Sequence, residues 1–394
     1  MASIKLKGDT SGEVTIQAPA VAGTTTLNLP ATSSTLATQN ALGVRNLIIN
    51  GDMRIAQRGT STNGITGSGY FTVDRWDTGG VSFGTWTMSQ DTDVPSGQGF
   101  SKSIKWQCTT ANTSLSANSF FDMHQSLEGQ NLQHLKYGTS NAESLTLSFW
   151  VKSNKTGTYQ YNLYSADNSG KAVNGSFTIN VSDTWEKKTI TYNGDTIDSL
   201  DNDNGRSLDI QLIMVAGSDY TGGTSSSSWT AWTNSQRAPD LTVNLADSTS
   251  NYINITGVQL EVGDTATPFE HRPYDMELAR CQRYYEHNYN IGQTPGSSSS
   301  YPSNMGSWIN GFGTHNGQKG FTSEYKVTKR ATPSVTFYDT SGNSGRVSYL
   351  DAGGTTFNNQ TVAIVFTGTS AILGTMGNGT QTGIHYFWVA DSEL

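Results

Sequence analysis

The 394 residues exceed what one hydrophobic core usually organises, and their composition is polar without being charged: 34% hydrophobic, 14% charged, 10% aromatic, with 42 glycines. The aromatic share argues against a disordered chain, while a net charge of -8, a pI near 5.2 and no basic run argue against binding nucleic-acid phosphates. No apolar stretch reaches the length of a membrane span, and the opening MASIKLKGDTSGE lacks the apolar core of an export signal.

Residues 1–43 read as short alternating pieces. Ile4 with Leu6, Val14 with Ile16, and Leu27 with Leu29 each place two apolar side chains on one strand face, separated by Gly and Pro turn chemistry. So few large apolar side chains cannot build a core alone, so the segment is expected to borrow partners from other chains or from a host structure.

From residue 44 to 272, strand-like runs alternate with Gly, Asn, Asp and Ser turns. In SLTLSFWVKS (144–153), Leu145, Leu147, Phe149 and Val151 share one face, and Thr146, Ser148 and Trp150 the other. Further runs are FTINVS (177–182), KKTITYNG (187–194), LDIQLIMVAG (208–217), LTVNL (241–245) and NYINITGVQLEVG (251–263). Many short strands with no helical period predict a β-sandwich. The stretch GGTSSSSWTAWTNS (222–235) is a loop by composition, yet carries Trp229 and Trp232.

The one helical pattern is PYDMELARCQRYYEHNY, where Tyr274, Leu278, Cys281 and Tyr285 form a single stripe behind Pro273; it predicts a linking helix over 273–290. Residues 291–394 open with a Gly/Ser-rich loop and continue into EYKVT, SVTFYD, RVSYLD, TVAIVFTG and IHYFWVA, a second and smaller β-rich domain, expected to lie distally. The fold class is thus mainly β: anchor segment, sandwich, short helix, β-rich end.

Catalytic and metal signatures are absent. The six histidines show no paired spacing, DNDNG (201–205) fails the EF-hand register at both ends, and neither GxSxG nor a P-loop occurs. Asp74, Asp77, Asp122 and Glu128 are acids that a glycosidase would need in pairs, but a chain with 32 acids always contains some such pair. No cofactor, no metal and no enzymatic activity are expected. Cys108 and Cys281 lie far apart outside any motif; idle thiols are favoured and a single disulfide stays open. The positive signal is aromatic: flat rings beside amide and charged groups suit sugar rings, which present apolar faces and polar edges. Trp76, Trp106 and Trp185 fit a core better, which leaves Trp150, Trp229 and Trp232 as candidate carbohydrate contacts.

These blocks also resemble a known family. NLIINGDM (46–53) is similar to the opening of jelly-roll modules in carbohydrate-binding proteins and phage fibres, YFTVDRW (70–76) to a segment early in the phage domains, and DTWEKKTITYNGDT to an internal strand. ITGVQLEVGDTATPFEHRPYDMELARCQRYYE resembles the closing block that joins the jelly roll to a C-terminal module in phage tail-fibre proteins. GEVTIQAPAVAGTTTLNLPATSSTLAT resembles the leader of such fibres. Where the sugar-binding modules carry an acid that helps hold calcium, Met53 and Arg54 stand here, and an arginine repels a cation, so the calcium site is not carried over.

The resemblance implies a phage virion structural protein of fibre or tail-fibre type, on the tail or capsid surface, forming a homotrimer. Residues 1–43 would attach to other phage structural proteins, 44–272 would form a carbohydrate-binding-module-like jelly roll, and a host-surface polysaccharide would be the receptor. No nucleic acid and no membrane insertion are expected. The rival readings are a decoration protein of capsid or tail without receptor binding, and a polysaccharide depolymerase.

Overall fold

A computed structural model describes residues 3–7, 11–17, 45–167, 170–290, 292–298, 314–315, 318–351, 353–377 and 383–394. The chain divides into two units, Met1–Gly43 and Val44–Leu394. In the first, β1 (Ser3–Lys7) and β2 (Glu13–Gln17) pair antiparallel with Ile4 opposite Ile16 and Leu6 opposite Val14. The expected Leu27/Leu29 piece lies outside the described residues.

The second unit is built on a β-sandwich of antiparallel strands. Its strands in chain order are β3 (Ser61–Ile65), β4 (Asp77–Val81), β5 (Thr85–Asp91), β6 (Ser103–Thr110), β7 (Phe120–Glu128), β8 (Leu145–Ser153), β9 (Gly157–Ser165), β10 (Lys171–Val173), β11 (Ser176–Ile179), β12 (Glu186–Tyr192), β13 (Arg206–Ala216), β14 (Thr230–Ala231) and β15 (Tyr252–Val262). The first sheet runs β14-β10-β9-β13-β7-β4, with β11 also on β9; the second runs β12-β8-β15-β6-β5-β3. The period-two pattern decides which side chains meet: Leu145, Leu147, Phe149 and Val151 of β8 are fully buried against Tyr159, Tyr161 and Leu163 of β9 and Leu208, Ile210 and Leu212 of β13.

Tryptophans fill this core. Trp76, Trp86 and Trp106 are completely buried, and Phe121 stacks on Phe83 at 4.5 Å while meeting Trp106 edge-on at 5.2 Å. Two expected strands differ. LTVNL (241–245) is a connecting segment, because Thr158 N–H donates to the Thr242 hydroxyl (2.9 Å) and little else of a ladder forms beside it. In EYKVT only Glu324 is in a strand.

The opening block of the sandwich, NLIINGDM, forms no strand: it runs through bends and a turn and bonds to both sheets. Leu47 N–H donates to Leu260 O (2.9 Å) at the second sheet, and Ile49 exchanges hydrogen bonds with the Gln125 amide (2.8 Å each way) at the first. Its asparagines act structurally. Asn46 bonds Val258 O, Ile48 N–H and Leu260 N–H, and Asn50, at φ +58°, bonds Ile55 and Asp74 O. Gly51 is required because a Cβ there would sit 2.1 Å from Val258 O.

The helix α1 is a single turn (Ser218–Thr221), and α2 spans Tyr274–Gln282 rather than 273–290. Helical stripe and outcome part at Tyr285, which enters β16 (Tyr285–His287) opposite Asp391. The residues just before it are drawn to the sandwich: Arg283 makes a two-pronged pair with Glu128 (2.8 and 2.7 Å), and Tyr284 donates to the same carboxylate. β16 joins β24 (Phe387–Asp391) and β19 (Ser334–Tyr338) in a small sheet. A further sheet orders β17 (Thr314–His315), β18 (Gln318–Glu324), β22 (Ala371–Met376), β21 (Thr356–Thr367), β20 (Arg346–Leu350) and β23 (Gly383–His385). Arg75, fully enclosed, pairs with Glu393 and stacks on Tyr284 at 3.5 Å, which ties this β-rich end to the sandwich. Cys108 and Cys281 are both free and buried, in separate apolar clusters.

Candidate functional site

The outer face of the second sheet is polar, and one place on it is hollowed into a cleft of about 440 Å³. Trp150 lines it. The alternation of β8 turns this indole outward, and the register sets Lys187 of β12 on one side and Thr256 of β15 on the other. The opposite wall is a trio of rings, Phe100, Phe269 and His271, whose centroids lie 5.0–5.3 Å apart. Gln98, Ser148 and Thr267 add amide and hydroxyl groups at the rim.

The wall follows from the bulge that interrupts β15. Register shifts between Thr256 and Gln259, and Gly257 takes φ +64°; a Cβ on it would fall 2.5 Å from the Phe100 ring. The segment after β15 is then pinned back onto its own strand. Gln259 accepts from Glu270 N–H (2.8 Å), Glu261 accepts from Thr267 (2.6 Å), and Arg45 donates to the Thr267 hydroxyl (2.7 Å). Aromatic planes and hydrogen-bonding groups are thus held on a rigid frame before any ligand arrives.

Farther along the same face, Asp93 accepts from Lys152 (2.7 Å) and from the Trp185 indole (2.9 Å). Burial works against its charge, but those two donors hold the carboxyl below the usual range.

The other two candidate tryptophans sit elsewhere. Trp229 is sealed in the sandwich, 9% exposed; its N–H donates to Asn193 O (2.7 Å) and its ring meets Tyr137 edge-on, so it offers no face to a ligand. Trp232 is half-buried over the outer face of the first sheet, tilted against Tyr164 at 5.1 Å with the Arg237 guanidinium 5.1 Å from its ring. The three therefore occupy one cleft wall, one core and one opposite face. Sequence reasoning missed Phe100, Phe269 and His271. The signal for them was the ITG bulge before TPFEH, which only a fold can connect to Phe100.

The four acids weighed as catalytic are all occupied. Asp74 is fully enclosed, bonded to Gln57 N–H (2.8 Å) and near Arg58; burial pushes its carboxyl up to about 6. Glu128 is held by Arg283 and Tyr284. Asp77 and Asp122 flank His124 at 3.4 Å each; burial disfavours the imidazolium, yet the two carboxylates raise its pKa to about 10. Among the described residues no cluster of three or more His, Cys, Asp or Glu could hold a metal ion. At the turn where Met53 and Arg54 replace an acid, Met53 is buried and Arg54 pairs with Asp52 and donates to Arg272 O (2.6 Å).

No known family model and no curated protein matches the chain. Among solved structures, it is similar to a putative sugar-binding protein from Bacteroides thetaiotaomicron VPI-5482, with 12% identity over 55% of this chain and 100% of that one, TM-score 0.31. It is likewise similar to the carbohydrate-binding module TmCBM61 in complex with beta-1,4-galactotriose, with 10% identity over 55% and 99%, TM-score 0.28. A third likeness is to the enzymatically active domain of tailspike protein 4 from bacteriophage CBA120, with 14% identity and TM-score 0.28 over 55% of this chain; the chain spans 21% of that one.

Proposed function

We propose that the chain is a fibre-type structural protein of a bacteriophage virion that binds a host-surface glycan in the Trp150 cleft. The observation that carries the binding reading is the cleft itself: an outward indole and a second group of aromatic rings line one hollow together with the polar side chains of Lys187, Gln98 and Thr267. A volume near 440 Å³ suits two or three sugar units. The virion reading rests on the sequence blocks at 46–53, 70–76 and 255–286 and on the leader at 12–38.

The same reading makes the assembly a homotrimer, and β21 supplies a contact surface for it. This strand, TFNNQTVAIVFT, carries no charge, and Phe357, Ile364, Val365 and Phe366 are 38–60% exposed on it. In the proposed homotrimer a second copy would cover these side chains, and the absence of charged residues along the strand keeps like-charge contacts out of that seam. Three linked clefts would let weak single sites act together.

The test is a glycan screen with the full chain, using surface polysaccharides of candidate hosts, together with imaging of particles in which the chain is labelled. Binding that Trp150→Ala weakens, and label on the virion, are expected. Absence of label from the particle contradicts the virion reading, and absence of any glycan binding contradicts the receptor reading in favour of a decoration protein.

A further inference from the structure

The outer face of the first sheet holds a cation that no carboxylate answers. Arg237 follows the turn Asn234–Gln236, and its backbone is fixed: its carbonyl accepts from the Asn162 side chain on β9 (2.7 Å) and its N–H donates to Asn234 O (3.0 Å). Three rings enclose the guanidinium, at 4.8 Å for Phe120, 5.1 Å for Trp232 and 5.6 Å for Tyr220. Among the described residues it makes no ion pair or side-chain hydrogen bond, and its Nε is buried without a partner. Polar groups taken out of water are normally paired; Arg58, Arg75, Arg206, Arg272 and Arg283 each have a carboxylate, and Arg237 has none among the described residues.

Local acids do not fill the gap. Asp209 is engaged by Arg206, Asp240 accepts from Ser225, and Asp122 accepts from Gly79 N–H (2.9 Å) and faces His124. A planar fork of donors is therefore fixed in place beside the tilted pair Trp232 and Tyr164, with no anion of its own.

From this geometry we infer that Arg237, Trp232 and Tyr164 form a second binding site, separate from the Trp150 cleft, for a carboxylate-bearing sugar such as a hexuronate unit of an acidic polysaccharide. The fork matches a carboxylate two-pronged, and the two rings offer the apolar platform that a pyranose face requires. The choice of a sugar as the ligand rests on the glycan reading above; the anionic group does not, since it follows from the unanswered cation alone.

The test titrates the full chain with oligogalacturonate and with the same oligomer fully methyl-esterified, which differ in charge but share a backbone, following Trp fluorescence at low salt. The free acid is expected to bind about tenfold tighter, and added salt to erode that preference. Arg237→Gln should abolish the preference, Arg237→Lys should retain part of it, and Trp150→Ala should leave it intact. Equal binding of the two oligomers by the unaltered protein, binding of neither, or a preference that survives Arg237→Gln would overturn the inference. Failure of the Trp150 reading would look different: neutral glycans from the host screen would bind equally well to Trp150→Ala.

Discussion

The two outer faces of the sandwich are built from the same alternation, yet they are finished differently. The second sheet keeps its face open, and its hollow exists because β15 bulges at Gly257 and the following segment is pinned back onto β15 by Gln259 and Glu261. The first sheet is roofed by the 217–245 segment, whose Tyr220, Ala238 and Leu241 pack on Phe120 and Ile213. An open face with preset walls suits a ligand of extended shape, whereas a roofed face can expose only selected groups at its margin, here Arg237 and Trp232. A tryptophan's exposure therefore depends less on its own strand than on what the next connection does.

The largest effect that would break this comparison concerns a tryptophan belonging to neither face. Trp229→Ala should cost about 3–5 kcal/mol in denaturant unfolding and leave glycan affinity unchanged, because it empties core volume and strands Asn193 O. Loss of binding with full stability would instead place Trp229 in the site. Next, Gly257→Ala should destabilise by about 1–2 kcal/mol from the left-handed backbone alone and also displace Phe100, lowering affinity through the cleft wall. An alanine variant with wild-type stability and binding would refute the role given to the bulge.

Self-association comes after these. Phe366→Asp should lower the molecular mass seen by sedimentation, since it places a charge in the uncharged β21 surface; an unchanged mass would move the contact elsewhere.

The remaining effects separate the two faces by pH. His124, raised to about 10 by Asp122 and Asp77, contributes stability that is fully present below about 6.5 and lost as pH rises through 10; His124→Asn should flatten that alkaline slope. Glu186 at the edge of the second sheet behaves oppositely. Burial opposes its charge, but Lys188 and the Val181 and Asn180 donors hold its carboxyl down at about 2, so its stability is present above about 4.5 and lost as pH falls through 2. Glu186→Gln should remove that acid limb in an unfolding series. Identical slopes in variant and parent would remove either assignment.

Much of the fold could be read from the chain. The alternation in 144–153 assigned both faces of β8 correctly, down to Trp150 pointing outward, because a period of two leaves no freedom once one face is buried. The aliphatic burst at 47–49 falls near the start of the second unit, which begins at Val44. What it did not reveal is that the segment would lie between the sheets, since that depends on Gln125 and Val258, distant in sequence. The helix was read too long for a similar reason: Tyr285 continues the apolar stripe, but a ladder with Asp391 outcompetes one more helical turn. Of the site, only Trp150 was legible. Trp229 and Trp232 share one polar loop, and composition could not say that one would point into the core and the other across a sheet. Arg237 drew no attention because a single arginine in a polar loop reads as a solvated surface cation.

The central claim is that the Trp150 cleft binds glycan. Its most direct measurement is a calorimetric titration of full-length protein and of Trp150→Ala with the host oligosaccharide that the screen selects, after both are shown to unfold at the same denaturant midpoint. The account predicts saturable binding by the parent and affinity reduced about 10–100-fold, or about 1.4–2.7 kcal/mol, in the variant. Equal affinities in two equally stable proteins would contradict it.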